Sequence, residues 1–348
     1  MKKSLKRVIA LALALMMIFA LGACGSSGGG SSDGGGSSDG GDAAEPIVIK
    51  VACTQNAEDD MAKYLQKFMD EVSKRYDGEI TWEFYPNGEL GTLNDVMEQA
   101  MAGGNIIMSQ GIEWMANFAP DASVLQCPYL YESVDDALKV VKSDWFANQV
   151  EEAKKKDAII LSANWIAGVR CMISRDFPIN TPADLNGKIL RAPGSTLYTA
   201  MASYLGCSPT TSNWNEVYTG LSQKTFDAAE ANIALLYSSS LYEVADYLNL
   251  TYHITMVTCP VMGKKFMDTL PEDLQQILYD VSMEIGDQYT QKCLTAENEA
   301  IEKFRAAGTT IVEPDIPLFQ EACKEIFSEP SLHWSPDLYD TIQSIINS

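Results

Sequence analysis

The hydrophobic positions of this chain change repeatedly between the spacing of a β-strand and that of an α-helix. The β-branched run 47–52 predicts a strand, apolar residues every three or four positions over 61–72 predict an amphipathic helix, and alternation over 80–85 predicts a second strand. Strands that alternate with helices are typical of α/β layering, so we expect an α/β protein. The same patterns predict further strands over 106–109, 158–163, 168–174 and 188–192, and helices over 93–102, 134–155, 197–205 and after Thr181-Pro182.

A long helical stretch begins after Pro271 and is predicted to end near Ala307. Its apolar residues Leu274, Leu278 and Val281 fall on one helical face. A helix of this length spans about 50 Å, because each residue adds about 1.5 Å. That is the size of two lobes rather than one, and the pattern therefore favours a two-lobed body.

The first 24 residues have the pattern of an export signal. Basic residues precede an uninterrupted apolar run over 8–21, and the sequence LGAC at 21–24 resembles the bacterial lipobox. We therefore expect a signal peptide over 1–23 and a lipid on the sulfur of Cys24; the alternative is a plain cleaved signal. Residues 24–45 are mostly Gly, Ser and Asp and predict a flexible tether with a reach of roughly 20–25 Å. The expected location is extracytoplasmic, anchored to the outer face of the cell membrane or periplasmic.

The charge and histidine content exclude several functions. The chain carries 47 acidic against 25 basic residues, a net charge of −22, and such a surface repels nucleic acid. Its two histidines, His253 and His333, are too few for histidine-rich zinc sites or for a Ser-His or Cys-His nucleophile. We therefore predict no metal, no cofactor and no catalytic residue, and favour capture of a small molecule over chemistry.

Seven cysteines follow Cys24, and no two of them form a CxxC pair. Most have apolar neighbours, as Cys53 does after Val51 and Ala52. This pattern favours small buried core residues over a disulfide framework.

Several segments together resemble the solute-binding proteins of TRAP transporters, which are ion-driven carriers for organic acids. The most specific are Gly168-Val169-Arg170 and the block 178–193, PINTPADLNGKILRAP, supported by FYPNGELG at 84–91 and CPYLY at 127–131. The resemblance implies a two-lobed periplasmic-binding-protein-like fold of class II type, with a hinge and a long interlobe helix. The predicted lobes are 46–168 with about 256–296, and 169–255 with about 297–348.

In that family an arginine at the position of Arg191 makes a bidentate salt bridge to the ligand carboxylate. Guanidinium suits this role because its planar fork of donors matches a carboxylate and stays charged at neutral pH. The resemblance assigns Arg170 to a further carboxylate or hydroxyl of the ligand, and Trp214 to an aromatic surface against it. The alternatives are an internal salt bridge for Arg191, an ion pair for Arg170 and core packing for Trp214.

One departure from the family concerns its ligand-contacting asparagine. Ala231 stands at that position here, and Asn232 follows one residue later. Asn232 is therefore a candidate ligand residue, although a one-residue offset can turn a side chain out of the site. Position at strand ends adds four further candidates. These are Gln55, Asn56, Gln110 and Trp114.

The sequence thus predicts a receptor that captures a small organic acid in an interlobe cleft and delivers it to the membrane permease subunits of a TRAP transporter. We expect a monomer. A ligand-sensing protein that reports to a membrane receptor would have the same sequence features. An exported hydrolase or lyase would need paired carboxylates, and Asp59-Asp60 and Asp135-Asp136 are more simply interpreted as solvated helix starts. A cation between arginine and ligand also stays open.

Overall fold

One mixed sheet of ten strands forms the centre of the computed structural model, which describes residues 46–348. Its main path runs β2-β1-β3-β9-β5-β8-β6-β7, and β4 and β10 pair with β9. The predicted signal peptide, Cys24 and tether lie outside the described residues. The strands are β1 Ile47–Ala52, β2 Ile80–Tyr85, β3 Ile106–Gly111, β4 Ala158–Ile160, β5 Trp165–Ser174, β6 Ile189–Ala192, β7 Ser208–Thr211, β8 Ala228–Asn232, β9 Tyr247–Gly263 and β10 Thr310–Val312.

The sheet consists of two parallel halves joined by two long antiparallel strands. In the first half β1 pairs in parallel with β2 and β3, and in the second half β6 pairs in parallel with β7 and β8. Strand β9, 17 residues long, pairs with β3 near its C-terminal end and with β5 along much of its length. The β5–β9 register shifts between Ile166 and Val169 and again between Arg170 and Met172. Gly168 and Tyr252 have φ of 92° and 44° there, so the shared strands bend between the halves.

Helices cover both faces of this sheet. The helix predicted over 134–155 is in fact two helices. Ser143 lies between them and caps the start of the second helix, where its hydroxyl oxygen accepts a hydrogen bond from the backbone amide of Phe146. After Thr181 only the short 3-10 turn Pro182–Leu185 forms. The helices are α1 Asp60–Arg75, α2 Leu93–Met101, α3 Val134–Val141, α4 Asp144–Lys155, α5 Thr196–Tyr204, α6 Val217–Ser222, α7 Ile233–Ser238, α8 Lys264–Met267, α9 Glu272–Ala306, α10 Ile316–Cys323 and α11 Leu338–Ile346.

The 35-residue helix α9 packs against both halves. Near its start Leu274 and Leu278 join the core formed by α1 and β1, whereas Ile301 and Phe304 join the core formed by β8 and α7. One continuous helix therefore packs against two separate hydrophobic cores. This agrees with the predicted long interlobe helix. No helix within residues 46–348 is both long and apolar enough to cross a bilayer.

The C-terminal segment returns to the first half of the chain. Lys139 on α3 donates to the carbonyl of Ile346 at 2.8 Å, and the indole of Trp334 donates to Ser123 Oγ at 2.7 Å. The predicted lobe limits, which placed 297–348 in the second lobe, stay a prediction. The seven cysteines of the described residues are all buried and unpaired.

Candidate functional site

A cavity of about 430 Å³ is lined by residues from both halves of the sheet. Its volume lies within the roughly 300–1,000 Å³ typical of small-molecule sites. The C-terminal residues of β1, β3, β6 and β7 and the segments that follow these strands supply many of its lining residues, so the cavity lies at the carboxyl ends of these strands, where α/β sheets usually bind ligands. Its lining includes Gln55, Gln110, Glu113, Trp114, Arg170, Arg191, Ser212, Trp214, Ala231 and Met256.

Arg191 is a buried positive charge in this cavity that no carboxylate of the described residues contacts. It lies on β6, is only 4% exposed, and donates through Nε and Nη2 to Oγ and the carbonyl of Ser212. Within residues 46–348 no carboxylate lies within 4.0 Å of its guanidinium. Burial lowers the pKa of Arg191 to about 10, so the group is still charged at neutral pH. The charge of Glu230 acts on this group only from beyond contact distance, so a buried cation with no contacting carboxylate favours an anion supplied by a ligand.

Trp214 forms a flat wall beside this cation. The centroid of its indole ring lies 5.5 Å from Cζ of Arg191, a cation–π distance. Its Nε1 donates to Ser239 Oγ at 3.1 Å, which fixes the plane of the ring. The placement agrees with an aromatic surface at the cavity, and its contact with a ligand stays a prediction.

Arg170 also lines the cavity, but it has an internal partner. Its Nε and Nη2 bond to the two carboxylate oxygens of Glu230 at 2.5 and 2.6 Å. Burial alone would raise the pKa of Glu230, but the charge of Arg170 and a hydrogen bond from His253 outweigh it and hold this pKa below its usual value. Met256 Sδ, at 3.3 Å, is the contact of the remaining nitrogen, Nη1. Most of the hydrogen-bonding capacity of Arg170 is therefore used inside the protein.

Glu113 is a functional candidate that the sequence analysis did not name. It lies on the 3-10 helix Ile112–Asn117 directly after β3 and is 4% exposed. Its Oε2 has no hydrogen-bond partner in the part of the chain that the structure describes. Burial raises the pKa of Glu113 to about 7, although its own backbone amide, the charge of Arg170 and the side chain of Gln126 all act to lower it. The strand-end position that selected Gln110 and Trp114 applies to Glu113 as well, and it would have identified this residue.

Gly111 makes the position of Glu113 possible. A Cβ at residue 111 would lie 2.0 Å from Glu113 Oε2 and 2.8 Å from Gln126 Nε2. Because glycine has no side chain, the carboxyl group can fold back over the end of β3 into the cavity.

The four strand-end candidates separate into two groups. Gln55, Gln110 and Trp114 line the cavity, and both amide atoms of Gln110 and Oε1 of Gln55 are buried without partners among the described residues. Asn56 lies outside the lining and accepts a hydrogen bond from the amide of Glu58 at 3.0 Å.

Asn232 also lies outside the lining, whereas Ala231 is part of it. The side chain of Asn232 donates to the carbonyl of Ala167 at 2.7 Å, beside the bend at Gly168. The one-residue offset thus places the amide on a contact between β8 and β5. A ligand contact for Asn232 stays a prediction.

The sequence and the fold of this chain match those of a known protein family. Residues 51–331 match the family model of the bacterial extracellular solute-binding proteins, family 7 (DctP). A solved TRAP periplasmic solute-binding protein from Ochrobacterium anthropi, with bound L-fuconate, has 33% sequence identity and a TM-score of 0.83, covering 86% of this chain and 99% of its own. One from Actinobacillus succinogenes 130z, with bound L-galactonate, has 30% identity, the same TM-score and the same coverage.

A curated relative of known ligand agrees with the two structures. The sialic acid-binding periplasmic protein SiaP of Vibrio cholerae is 26% identical over 278 residues, which cover 80% of this chain and 85% of the relative. The predicted α/β periplasmic-binding-protein fold is confirmed, and proteins of this family bind solutes outside the cytoplasm rather than catalyse reactions. The chain belongs to the bacterial extracellular solute-binding proteins of family 7, the DctP-type receptors of TRAP transporters.

Proposed function

We propose that this protein captures a small organic acid in the cavity between its two halves, with the ligand carboxylate held by Arg191. The observation that carries the proposal is the buried guanidinium of Arg191, which has no internal carboxylate partner although it is 4% exposed. A carboxylate that enters the cavity supplies the missing charge and forms charge-assisted hydrogen bonds. Trp214 then adds a flat surface beside the ion pair.

The ligand class is proposed to be the sugar acids. The two similar solved structures hold L-fuconate and L-galactonate, each of which has a carboxylate and several hydroxyl groups. The lining of this cavity offers partners for both parts: a cation at Arg191, and unpaired amide groups at Gln55 and Gln110. Nη1 of Arg170 is left for one further ligand contact.

Closure and delivery complete the proposed cycle. The bend in β5 and β9 at Gly168 and Tyr252 lies between the halves, where a hinge would close the cavity on the ligand. The loaded receptor then docks on TRAP permease subunits in the membrane. A lipid on the sulfur of Cys24 would keep the receptor near that surface.

Calorimetric titration of the purified protein with a panel of monocarboxylic and dicarboxylic sugar acids tests the proposal. We expect Arg191→Ala to lower affinity for the best acid at least 100-fold. The matched control is Arg305→Ala, which removes an arginine of the exposed face of α9 paired at 3.3 Å with Glu302 and should leave affinity unchanged within twofold. Undiminished affinity in Arg191→Ala would overturn the carboxylate clamp, and binding of no acid by folded protein would overturn the ligand class.

A further inference from the structure

We propose that Gln55, Gln110 and Glu113, here called the polar wall, receive the hydroxyl groups of the ligand and reject a second carboxylate. The inference rests on the proposed function and deepens it: the receptor takes polyhydroxylated monocarboxylates and discriminates against dicarboxylates. Gln55 follows β1, and Gln110 and Glu113 lie at and after the end of β3, so the polar wall belongs to the first half of the sheet. Arg191 faces the same cavity from β6 in the second half.

The unpaired atoms of the polar wall are mainly acceptors. Oε1 of Gln55, Oε1 of Gln110 and Oε2 of Glu113 are buried acceptors without partners among the described residues, against one unpaired donor, Nε2 of Gln110. Buried polar atoms in proteins are almost always paired, and leaving an acceptor unpaired is costly. A ligand that satisfies this wall must bring several donors. Hydroxyl groups can donate, whereas a carboxylate cannot.

The charges around the cavity give the same answer. Arg170 cannot balance a second ligand carboxylate, because Glu230 already takes its Nε and Nη2 at 2.5 and 2.6 Å. Arg191 is therefore the cation of the lining without an ion pair, whereas two carboxyl groups of the lining, Glu113 and Glu216, have no ion pair among the described residues. A monocarboxylate can place its anion on Arg191 and its hydroxyl groups on the polar wall, whereas a second carboxylate brought to that wall meets Glu113, a group of the same charge when ionised.

Glu113 has few internal partners for a buried carboxyl group: its own backbone amide and the side chain of Gln126 act on it, but no cation pairs with it among residues 46–348. Its Oε2 has no hydrogen-bond partner among residues 46–348, and it occupies space that a Cβ at residue 111 would fill. An unpartnered carboxyl in a cavity destabilises the unliganded protein. A site that uses the group for recognition gives a physical reason for its presence.

Paired ligands test the inference by calorimetry at pH 8. Sodium salts of six-carbon aldonic acids are each compared with the aldaric acid of the same hydroxyl configuration, and hexanoate serves as a carboxylate without hydroxyl groups. For the best aldonate we expect the matching aldarate and hexanoate to bind at least 30-fold more weakly. Glu113→Gln should lower the ratio of the aldonate affinity to the aldarate affinity at least tenfold. The substitution removes the negative charge that opposes the second carboxylate and keeps the shape of the side chain.

The outcomes separate this inference from the proposed function. Glu302→Gln is the matched control; it removes an exposed carboxylate of α9 and should leave the ratio within twofold. An aldarate that binds wild-type protein within threefold of its aldonate, or a hexanoate that binds more tightly than every aldonate, overturns the inference while the receptor function stands. These comparisons use wild-type protein, so they decide the question even if Glu113→Gln does not fold. Absence of binding by every carboxylate overturns both.

Discussion

Arg170 and Arg191 are two buried arginines on strands of the same sheet, and they differ in what balances their charge. Their exposed fractions are 5% and 4%, and both line the cavity. Arg170 is bound by the carboxylate of Glu230, whereas Arg191 has only the hydroxyl and carbonyl of Ser212. The comparison teaches that burial alone does not distinguish the two arginines. Contact with a carboxylate inside the protein does.

The largest expected effect comes from breaking the internal pair. Glu230→Gln leaves the guanidinium of Arg170 buried without its counter-charge, and we expect the free energy of unfolding to fall by about 3–5 kcal/mol. Urea denaturation without ligand measures this change, with Glu302→Gln as the exposed control. A loss below about 1 kcal/mol would show that the pair does little for the fold and would remove the contrast with Arg191.

Arg191 should give the opposite result. Arg191→Met removes a charge that no internal carboxylate balances, so the free energy of unfolding without ligand should stay within about 1 kcal/mol of wild type or rise. Affinity for the best acid should fall at least 100-fold, or about 2.7 kcal/mol. Urea denaturation and calorimetry on the same preparation check both values. A strongly destabilised variant would mean that Arg191, like Arg170, serves the fold.

The pH dependence of stability extends the comparison to Glu113. Burial raises its pKa to about 7 from an ordinary value of 4.5, so between these pH values the folded protein binds more protons here than the unfolded chain. The stabilisation from this group is complete below about pH 4.5 and is lost as pH rises to 7. Glu113→Gln should therefore raise the free energy of unfolding by about 3 kcal/mol at pH 8 and change it little at pH 4.5. Equal effects at both pH values would contradict the burial argument.

The smallest effect is expected at Gly111. Its φ of −69° suits alanine, so Gly111→Ala strains no backbone angle, but the new Cβ would meet the carboxyl of Glu113 at 2.0 Å. The side chain of Glu113 can move away, and we expect a cost of about 1 kcal/mol. Urea denaturation of the single variants and of Gly111→Ala with Glu113→Ala measures the coupling. Purely additive effects would show that the two residues do not interact.

Local patterns predicted those elements whose residues carry their own signals. Strand β1 begins and ends where its β-branched run predicted, β2 where its alternation predicted, and α9 begins one residue after Pro271. Strand β9 has no such pattern. It is buried on both faces along most of its 17 residues, contains Pro260 and is held by pairing with β3, β4 and β5, which come from distant parts of the chain. A strand that is buried on both faces has no alternation of hydrophobic and polar residues, so its sequence pattern does not predict it.

The sequence by itself determined the α/β class, the long helix, the acidic net charge and, through its resemblance, the family. It also named Arg191 as the ligand arginine, which stays a prediction. Each of these depends on residue types and short spacings. Only the tertiary structure decided that Arg170 is paired and Arg191 is not, because Glu230 lies 60 residues from Arg170 and becomes its neighbour only when β5 pairs with β8. It likewise turned Asn232 toward Ala167 and Glu113 into the cavity. The balance of buried charge depends on distances in space, and no local pattern carries them.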